Sequence, residues 1–497
     1  MADITRREIL SAVTVGALVA TNAACRRTKT NHPTAEPSSD PLSWSVGTMA
    51  QAIRNQRVSS ESVVSACLQR IKQVNPQLNA VVRLRADEAL ADAKGADEVA
   101  KRRLPMGPLH GVPMTIKDSF DTAGLISTGG TMGRASFVPS QDATVVARLK
   151  AAGAILLGKT NTPEFTLGII TNNIVFGRTN NPYDVSRSCG GSSGGAAAIV
   201  AAKGSAFDIG SDTGGSIRLP AHFCGIAGLK PTSGRVPRTG HIVSFGGIMD
   251  GWTQIGPLAR YVSDLALLLP ILTGSDWHDP SIVDMPVLPG NDVDIKGLKI
   301  AVFNDNGIDR VTGPVENAVR KAASALATAG AIIEETKPPQ IEKTEQVFMS
   351  VGFADGGAWI RRMVERAGTH ELSAGIKWWT TELKPVTAAE LTAAVEAMDQ
   401  YRSSLLLFMQ KYDAILCPVE AYSALSEKSM LDRDHATTYT LPFNLTGQPV
   451  VVVRADTSPE GLPIGVQIAA RRWREDVALA LAERIEAALG GWKAPMI

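Results

Sequence analysis

Five cysteines in 497 residues (Cys25, Cys67, Cys189, Cys224 and Cys417) are too few and too irregularly spaced for a disulfide framework. Aromatic residues make up only 5%, and 50 basic side chains against 49 acidic ones leave a formal charge of +1. Such a balance supplies no basic stripe for nucleic acid. Cys-x-x-Cys, His-Glu-x-x-His and calcium-loop patterns are all missing, so no metal and no cofactor are expected. No internal repeat occurs. No apolar run is long enough to cross a bilayer, the N-terminal stretch from Ala12 to Ala20 included. What is abundant is hydrophobic residues, at 44%, and glycine, at 45 residues. The chain is therefore globular with room for an extensive core, and length alone allows two or three domains.

The glycines concentrate around two serines. Ser192 lies in Cys189-Gly-Gly-Ser-Ser-Gly-Gly195, and Ser216 in Gly210-Ser-Asp-Thr-Gly-Gly-Ser-Ile-Arg-Leu-Pro220. Glycine beside a small hydroxyl residue lets main-chain N–H groups converge on one point, the arrangement that stabilises a developing oxyanion. A serine there is a candidate nucleophile, and a serine nucleophile needs a base. Upstream, Val112, Met114 and Ile116 alternate as in a half-buried strand that ends at Lys117. An isolated lysine in that position usually extends its ammonium to water. Three blocks in the order Lys117, Ser192, Ser216 read differently.

Together they closely resemble the amidase signature family. The serine-rich stretch Gly190-Gly-Ser-Ser-Gly-Gly-Ala-Ala-Ala, the Ser216 block and Gly228-Leu-Lys-Pro-Thr-Ser-Gly-Arg-Val carry the likeness. Gly158-Lys-Thr-Asn-Thr-Pro-Glu-Phe, Gln254-Ile-Gly-Pro-Leu-Ala-Arg, Asn444-Leu-Thr-Gly-Gln-Pro and Gly461-Leu-Pro-Ile-Gly-Val-Gln extend it. It runs from about Trp44 to the C-terminus and is weakest over 299–441.

The resemblance implies a single large α/β domain, a central mixed sheet with helices on both faces, and hydrolysis of a carboxamide through a serine acyl-enzyme. It makes Ser216 the nucleophile, Ser192 the bridging serine on a cis peptide, and Lys117 the base. The chemistry is coherent. A lysine accepts a proton only when neutral, and an exposed one titrates near about 10.4, so Lys117 is expected to be desolvated. Ser192 can donate and accept at once, which suits a relay. Main-chain N–H groups of Thr213, Gly214, Gly215 and Ser216 are the expected oxyanion hole. Asp212 and Arg218 are read as a buried pair supporting that loop, and Ser193 as either a hydrogen-bonding neighbour or a turn serine.

Two competing motifs are weaker. Gly153-Ala-Ile-Leu-Leu-Gly-Lys-Thr160 fits the phosphate-loop pattern by letter. However, Val145, Val146, Leu149 and Ala152 are spaced as a helix over 143–152, Gly153 suits its C-cap, and 154–157 read as the strand. Helix, glycine, strand is the wrong order for cradling phosphate. His222, near Ser216, is the one tempting histidine for a Ser-His-Asp triad, and it reads better as a locally hydrogen-bonded residue.

Local patterns agree with α/β. Ser60 is a candidate cap for a helix over 61–73 with Val64, Leu68 and Ile71 on one face. A helix over 194–203 closed by Gly204 would direct its N-terminus at the serines. Strands are expected at 450–454 and 463–469, and an amphipathic helix at 475–489. Variable segments expected to shape a substrate pocket are 125–132, 169–175 and the region of Trp378 and Trp379. Cys67, Cys189, Cys224 and Cys417 are read as buried thiols rather than disulfides, although Cys189 and Cys224 flank the two serine blocks and could meet.

The N-terminus reads as a twin-arginine export signal over 1–25: Arg6-Arg7, the short apolar run, then Thr21-Asn-Ala-Ala-Cys25. Residues 26–42, with Pro33, Pro37 and Pro41, read as a linker, leaving 43–497 as the amidase domain. A periplasmic, processed protein without stable membrane insertion is the expectation. Cys25 as a lipidated residue is the secondary one, because Asn22 stands where an apolar residue belongs. The expected partner is a small-molecule amide, with no nucleic acid, and a homodimer is left open. The competing role within the family is the A subunit of a glutamine-dependent tRNA amidotransferase, against which the export signal argues. From another class, the stretch 153–160 would make a nucleotide-binding protein.

Overall fold

Strands buried on both faces need apolar residues at successive positions rather than alternate ones, and Val450 to Val453 is such a run. In the computed structural model, which describes residues 39–497 apart from 244, 246 and 434, that run begins one of eleven strands of a single mixed sheet. They are β1 (Val81–Leu84), β2 (Pro113–Lys117), β3 (Ile155–Thr160), β4 (Phe207–Asp212), β5 (Ala227–Lys230), β6 (Gln254–Ala259), β7 (Lys299–Val302), β8 (Ile332–Glu335), β9 (Ala414–Pro418), β10 (Val450–Thr457) and β11 (Pro463–Ala470). The spatial order is β1-β3-β2-β4-β6-β5-β10-β11-β9-β7-β8. β2 runs parallel to β3 and β4, and β7 parallel to β8 and β9; the remaining pairs are antiparallel.

Helices cover both faces. Val451 and Val453 of β10 join the core built with helices Val262–Leu272, Gly313–Thr328 and Glu475–Leu489. Val452, between them, joins the opposite core, with helices Ser60–Leu78 and Gly194–Ala201. A third apolar cluster, containing Phe165, Trp252, Trp359 and Tyr401, gathers helices Thr344–Gly352, Ala358–Ala367, Ala374–Thr381 and Ala388–Met409.

Local expectations hold with small corrections. The helix expected over 61–73 spans Ser60–Leu78, and its cap is Ser59, whose Oγ accepts from the Ser62 N–H at 3.1 Å. Ser60 is inside the helix and donates to the Gly111 carbonyl at 2.8 Å. The helix expected over 194–203 ends at Ala201, and Lys203 turns the chain with φ +67. The signal read over 1–25 lies outside the described residues, as does most of the stretch 26–42. Residues 40–42, assigned to the linker, are folded: Asp40 caps the turn Pro41–Ser43 and pairs with Lys203 at 2.7 Å. Among the described residues no helix is long and apolar enough to cross a membrane.

Candidate active site

The C-terminal ends of β2 and β4 lie beside the turn that enters helix Gly194–Ala201, and the three carry the predicted residues to one place. Lys117, the last residue of β2, is 0% exposed. Its Nζ donates to Ser192 Oγ at 2.7 Å, Ser211 Oγ at 2.9 Å and Ser193 Oγ at 3.1 Å. Burial brings the Lys117 ammonium down to about 7, against the opposing pull of the Asp208 and Asp212 carboxylates. An amine in that range is available as a base near neutrality.

Ser192 follows a cis peptide bond, Gly191–Ser192. It is buried, as is Ser193, whereas Ser216 is half-buried. The blocks are tied through the main chain, the Ser193 N–H donating to the Ser216 carbonyl at 3.1 Å. A hydrogen bond from Ser192 to the Ser216 hydroxyl is not among those formed by the described residues. Ser193, ambiguous in the sequence, takes part in the lysine's shell and also ties the turn to β4, donating to the Ser211 carbonyl at 3.3 Å. Gly210 permits this, because a Cβ there would lie 2.6 Å from Ser193 Oγ.

The expected oxyanion loop needs one correction. Gly215, at φ +130, directs its N–H to Asp212 Oδ1 at 2.8 Å, so that amide is committed to a carboxylate. Thr213, Gly214 and Ser216 form the half-buried lip of the loop and are the candidates left for the oxyanion. Asp212 also accepts from the Ile217 N–H at 3.1 Å and from Arg218 through a two-pronged contact, Nε to Oδ2 at 2.9 Å and Nη2 to Oδ1 at 2.8 Å. Both side chains are 0% exposed. Burial alone would raise the Asp212 pKa, but the Arg218 guanidinium and Asn444 hold it well below the usual carboxylate range. Arg218 continues to the Thr440 carbonyl at 2.7 Å, and Thr440 Oγ1 donates to the Gly214 carbonyl at 2.6 Å. The pair thus fixes the loop that presents Ser216.

Several of these partners escaped sequence reading. Ser211, Thr440 and Asn444 carried signals only as letters within or near the family-like stretches of sequence; Thr171, whose Oγ1 donates to the Gly190 carbonyl and accepts from the Gly194 N–H, carried none. Thr171 belongs to the segment 169–175, expected to shape a pocket, and through it that segment buttresses the Ser192 turn. Segment 125–132 packs behind Phe165, whose N–H donates to the Gly129 carbonyl at 2.8 Å. Phe165 lines a cavity of about 360 Å³ together with Arg134, Phe137, His241, Ile242 and Met363. Trp379 packs on Phe353, whereas Trp378 is half exposed.

The competing motifs have other occupations. Helix Thr144–Ala151, Gly153 at φ +95 and β3 follow in the order read from the sequence. Lys159 of that stretch is buried against Thr122, Ser127 and the Phe120 carbonyl rather than offered to a phosphate. His222 accepts from the Gly465 N–H at 2.8 Å and contacts the Tyr422 carbonyl at 2.9 Å, and burial lowers its pKa to about 4. It is a neutral tie between segments. Cys189 and Cys224 are neighbouring, buried, free thiols, Cys224 Sγ lying 3.6 Å from the Cys189 carbonyl. No group of three or more His, Cys, Asp or Glu side chains able to hold a metal occurs among the described residues.

Comparison with known proteins places this arrangement. The family model for amidases matches residues 62–479. Fatty-acid amide hydrolase 2-B of Danio rerio is 34% identical over 494 residues, covering 92% of each chain. The A subunit of glutamyl-tRNA(Gln) amidotransferase from Moorella thermoacetica is 35% identical over 88% of this chain and 95% of its own. Among solved structures, 6-aminohexanoate cyclic dimer hydrolase superposes with a TM-score of 0.79 at 28% identity, over 90% of this chain and 98% of that one. The chain belongs to the amidase family, the amidase signature enzymes, whose members act on amide C–N bonds.

Proposed function

We propose that the protein hydrolyses a small, uncharged, linear carboxamide through an acyl-enzyme on Ser216, with no metal, nucleotide or partner protein required. The observation that carries this reading is a fully buried lysine whose three side-chain contacts are all serine hydroxyls, one of them Ser192. Neutral Lys117 takes the Ser192 proton while Ser192 takes that of Ser216, whose Oγ attacks the carbonyl carbon. Charge on the carbonyl oxygen is met by amides of the loop from Thr213, Gly214 and Ser216. Collapse of the tetrahedral intermediate expels the amine, which receives the proton returned through Ser192, and water then releases the acid by the same route. Esters share the intermediate and are expected to be cleaved as well.

The test is direct. A fluorophosphonate adds mass to the peptide containing Ser216, and the EDTA-treated, ATP-free protein releases ammonia or amine from at least one member of an amide panel. Labelling that persists in Ser216→Ala defeats the assignment. The amidotransferase relatives favour a second reading, which wins if activity appears only with glutamine, tRNA and further protein components.

Export belongs to the same proposal, supported by Arg6-Arg7, the short apolar run and the small residues up to Cys25. Processing is expected to remove about the first 23 to 25 residues. Replacing both arginines with lysine is expected to strand the precursor in the cytoplasm, and fractionation that finds normal export of that variant points to another route or address.

A further inference from the structure

Thr115 and Lys117 share one face of β2, and Asp208, Gly210 and Asp212 share the same face of the adjacent β4, where helix Gly194–Ala201 covers them. Two ionisable groups of opposite type, Lys117 and Asp208, are therefore sealed into one layer, each 0% exposed. Side-chain donors reach one carboxyl oxygen only, while the main-chain N–H groups of Ile209 and Lys117 also favour the ionised form. Asp208 Oδ2 accepts from Thr115 Oγ1 at 2.6 Å and Thr160 Oγ1 at 3.0 Å, whereas Oδ1 has no hydrogen-bond partner among the described residues. A buried carboxylate with one oxygen unserved is costly, and a buried ammonium held only by hydroxyls is costly too. Neither group has a full counter-charge of its own, because the next carboxylate, Asp212, is neutralised by Arg218.

We propose that Asp208 and Lys117 hold a single proton between them in the resting enzyme, and that Asp208 is a positioning residue which thereby sets the pH at which Lys117 becomes a base. Ionised Asp208 with charged Lys117 has the same net charge as protonated Asp208 with neutral Lys117, so the pair titrates in two macroscopic steps, and the upper one, loss of the shared proton, belongs to the pair rather than to either residue. Burial pushes the Asp208 carboxyl up to about 7, opposed by the Thr115 and Thr160 hydroxyls, into the range of the lysine. The charged or titratable groups around Asp208 are few. β2 contributes Lys117 and β3 contributes Lys159, which also feels the Asp208 charge. β6 and helix Gly194–Ala201 contribute none. Around Lys117 stand Asp208 and Asp212, with His241 held neutral by burial and by the lysine itself.

The inference rests on the reading of Lys117 as the base. Its test is the rate of fluorophosphonate labelling of Ser216 in the full chain, followed from about pH 5 to 9. Removing the Asp208 charge removes what favours the ammonium, so the rising limb of Asp208→Asn is expected to move down by about one pH unit. Thr115→Val withdraws one of the two hydroxyls that favour ionised Asp208, and is expected to move the limb in the same direction by less. It carries the test if the asparagine variant fails to fold. Limbs that superimpose on the wild type in both variants, or move upward, overturn the shared proton. Wild-type protein that is not labelled at Ser216 at any pH defeats the proposed function instead, so the two failures are distinct.

Discussion

Two buried lysines lie near the C-terminal ends of neighbouring parallel strands, and they do different work. Lys117 of β2 and Lys159 of β3 are both 0% exposed, and burial lowers both, to about 7 and about 8. A register shift after Met114 places Thr160 opposite Lys117 and Lys159 opposite Ile116. Thr160 thus shares a face with Lys117 and reaches Asp208, while Lys159 points to the other side, toward Phe120. Lys117 meets only hydroxyls, which can receive or supply a proton. Lys159 meets the Phe120 carbonyl, Thr122 and Ser127, with Asp118 at 3.9 Å. Two of these partners are hydroxyls as well, but neither belongs to the glycine-rich serine blocks, so the second lysine is a clamp on the turn after β2. Depth of burial does not distinguish a base from a clamp; what the neighbouring hydroxyls lead to does.

The largest expected effect breaks that comparison at its catalytic side. Lys117→Ala is expected to lower kcat/KM by about 10³-fold while the protein stays folded. In the wild type, the neutral amine is the active form, so kcat/KM is expected to rise as pH passes about 7 rather than near the usual lysine range. A stopped-flow or steady-state pH series measures both, and an unchanged rate in the alanine variant removes the lysine from the mechanism.

Lys159→Met tests the other side. It deletes the hydrogen bonds of a clamp and leaves Asp118, whose Oδ1 already has no hydrogen bond, without its nearest cation. Breaking one partner of such a buried pair is expected to cost about 3 kcal/mol of stability. Activity per folded molecule is expected to stay within about tenfold of wild type, because no proton passes through this side chain. Urea unfolding and active-site titration separate the two quantities. Intact stability with lost activity would reverse the roles assigned to the two lysines.

Much of this was legible in the chain. The alternation before Lys117, the glycine blocks around Ser192 and Ser216, and the order helix, Gly153, strand are local patterns that survive folding, although β2 is buried on both faces rather than half-buried, its polar face covered by helix Gly194–Ala201. What was not legible depends on pairing between distant strands. The shift after Met114 decides which face Lys159 occupies, and no letter marks it. Asp208 draws no reading in the sequence, because its partners Thr115 and Thr160 reach it only when three strands are brought together. Gly215 looks like an oxyanion donor until Asp212 turns back to take its N–H. Ser59 and Ser60 are equally good caps by type, and only their partners in the fold separate them, Ser59 accepting from the Ser62 N–H and Ser60 donating to the Gly111 carbonyl.

Ser211→Ala sharpens the comparison at its smallest scale. Ser211 is one of three hydroxyls around Lys117 and, unlike Ser192, it has no place in the path to Ser216. Its removal leaves the relay intact, so the rate above neutral pH is expected to fall by no more than about fivefold. Hydrogen bonds to a charged group are stronger than those to a neutral one, so losing this acceptor harms the ammonium more than the amine. The rising limb of kcat/KM is therefore expected to move down by about half a pH unit, and the variant to be relatively more active than wild type on the acid side. If the limb instead moves up, Ser211 serves the neutral amine as a donor, and the hydroxyl shell of Lys117 would be organised to hold its lone pair rather than its proton.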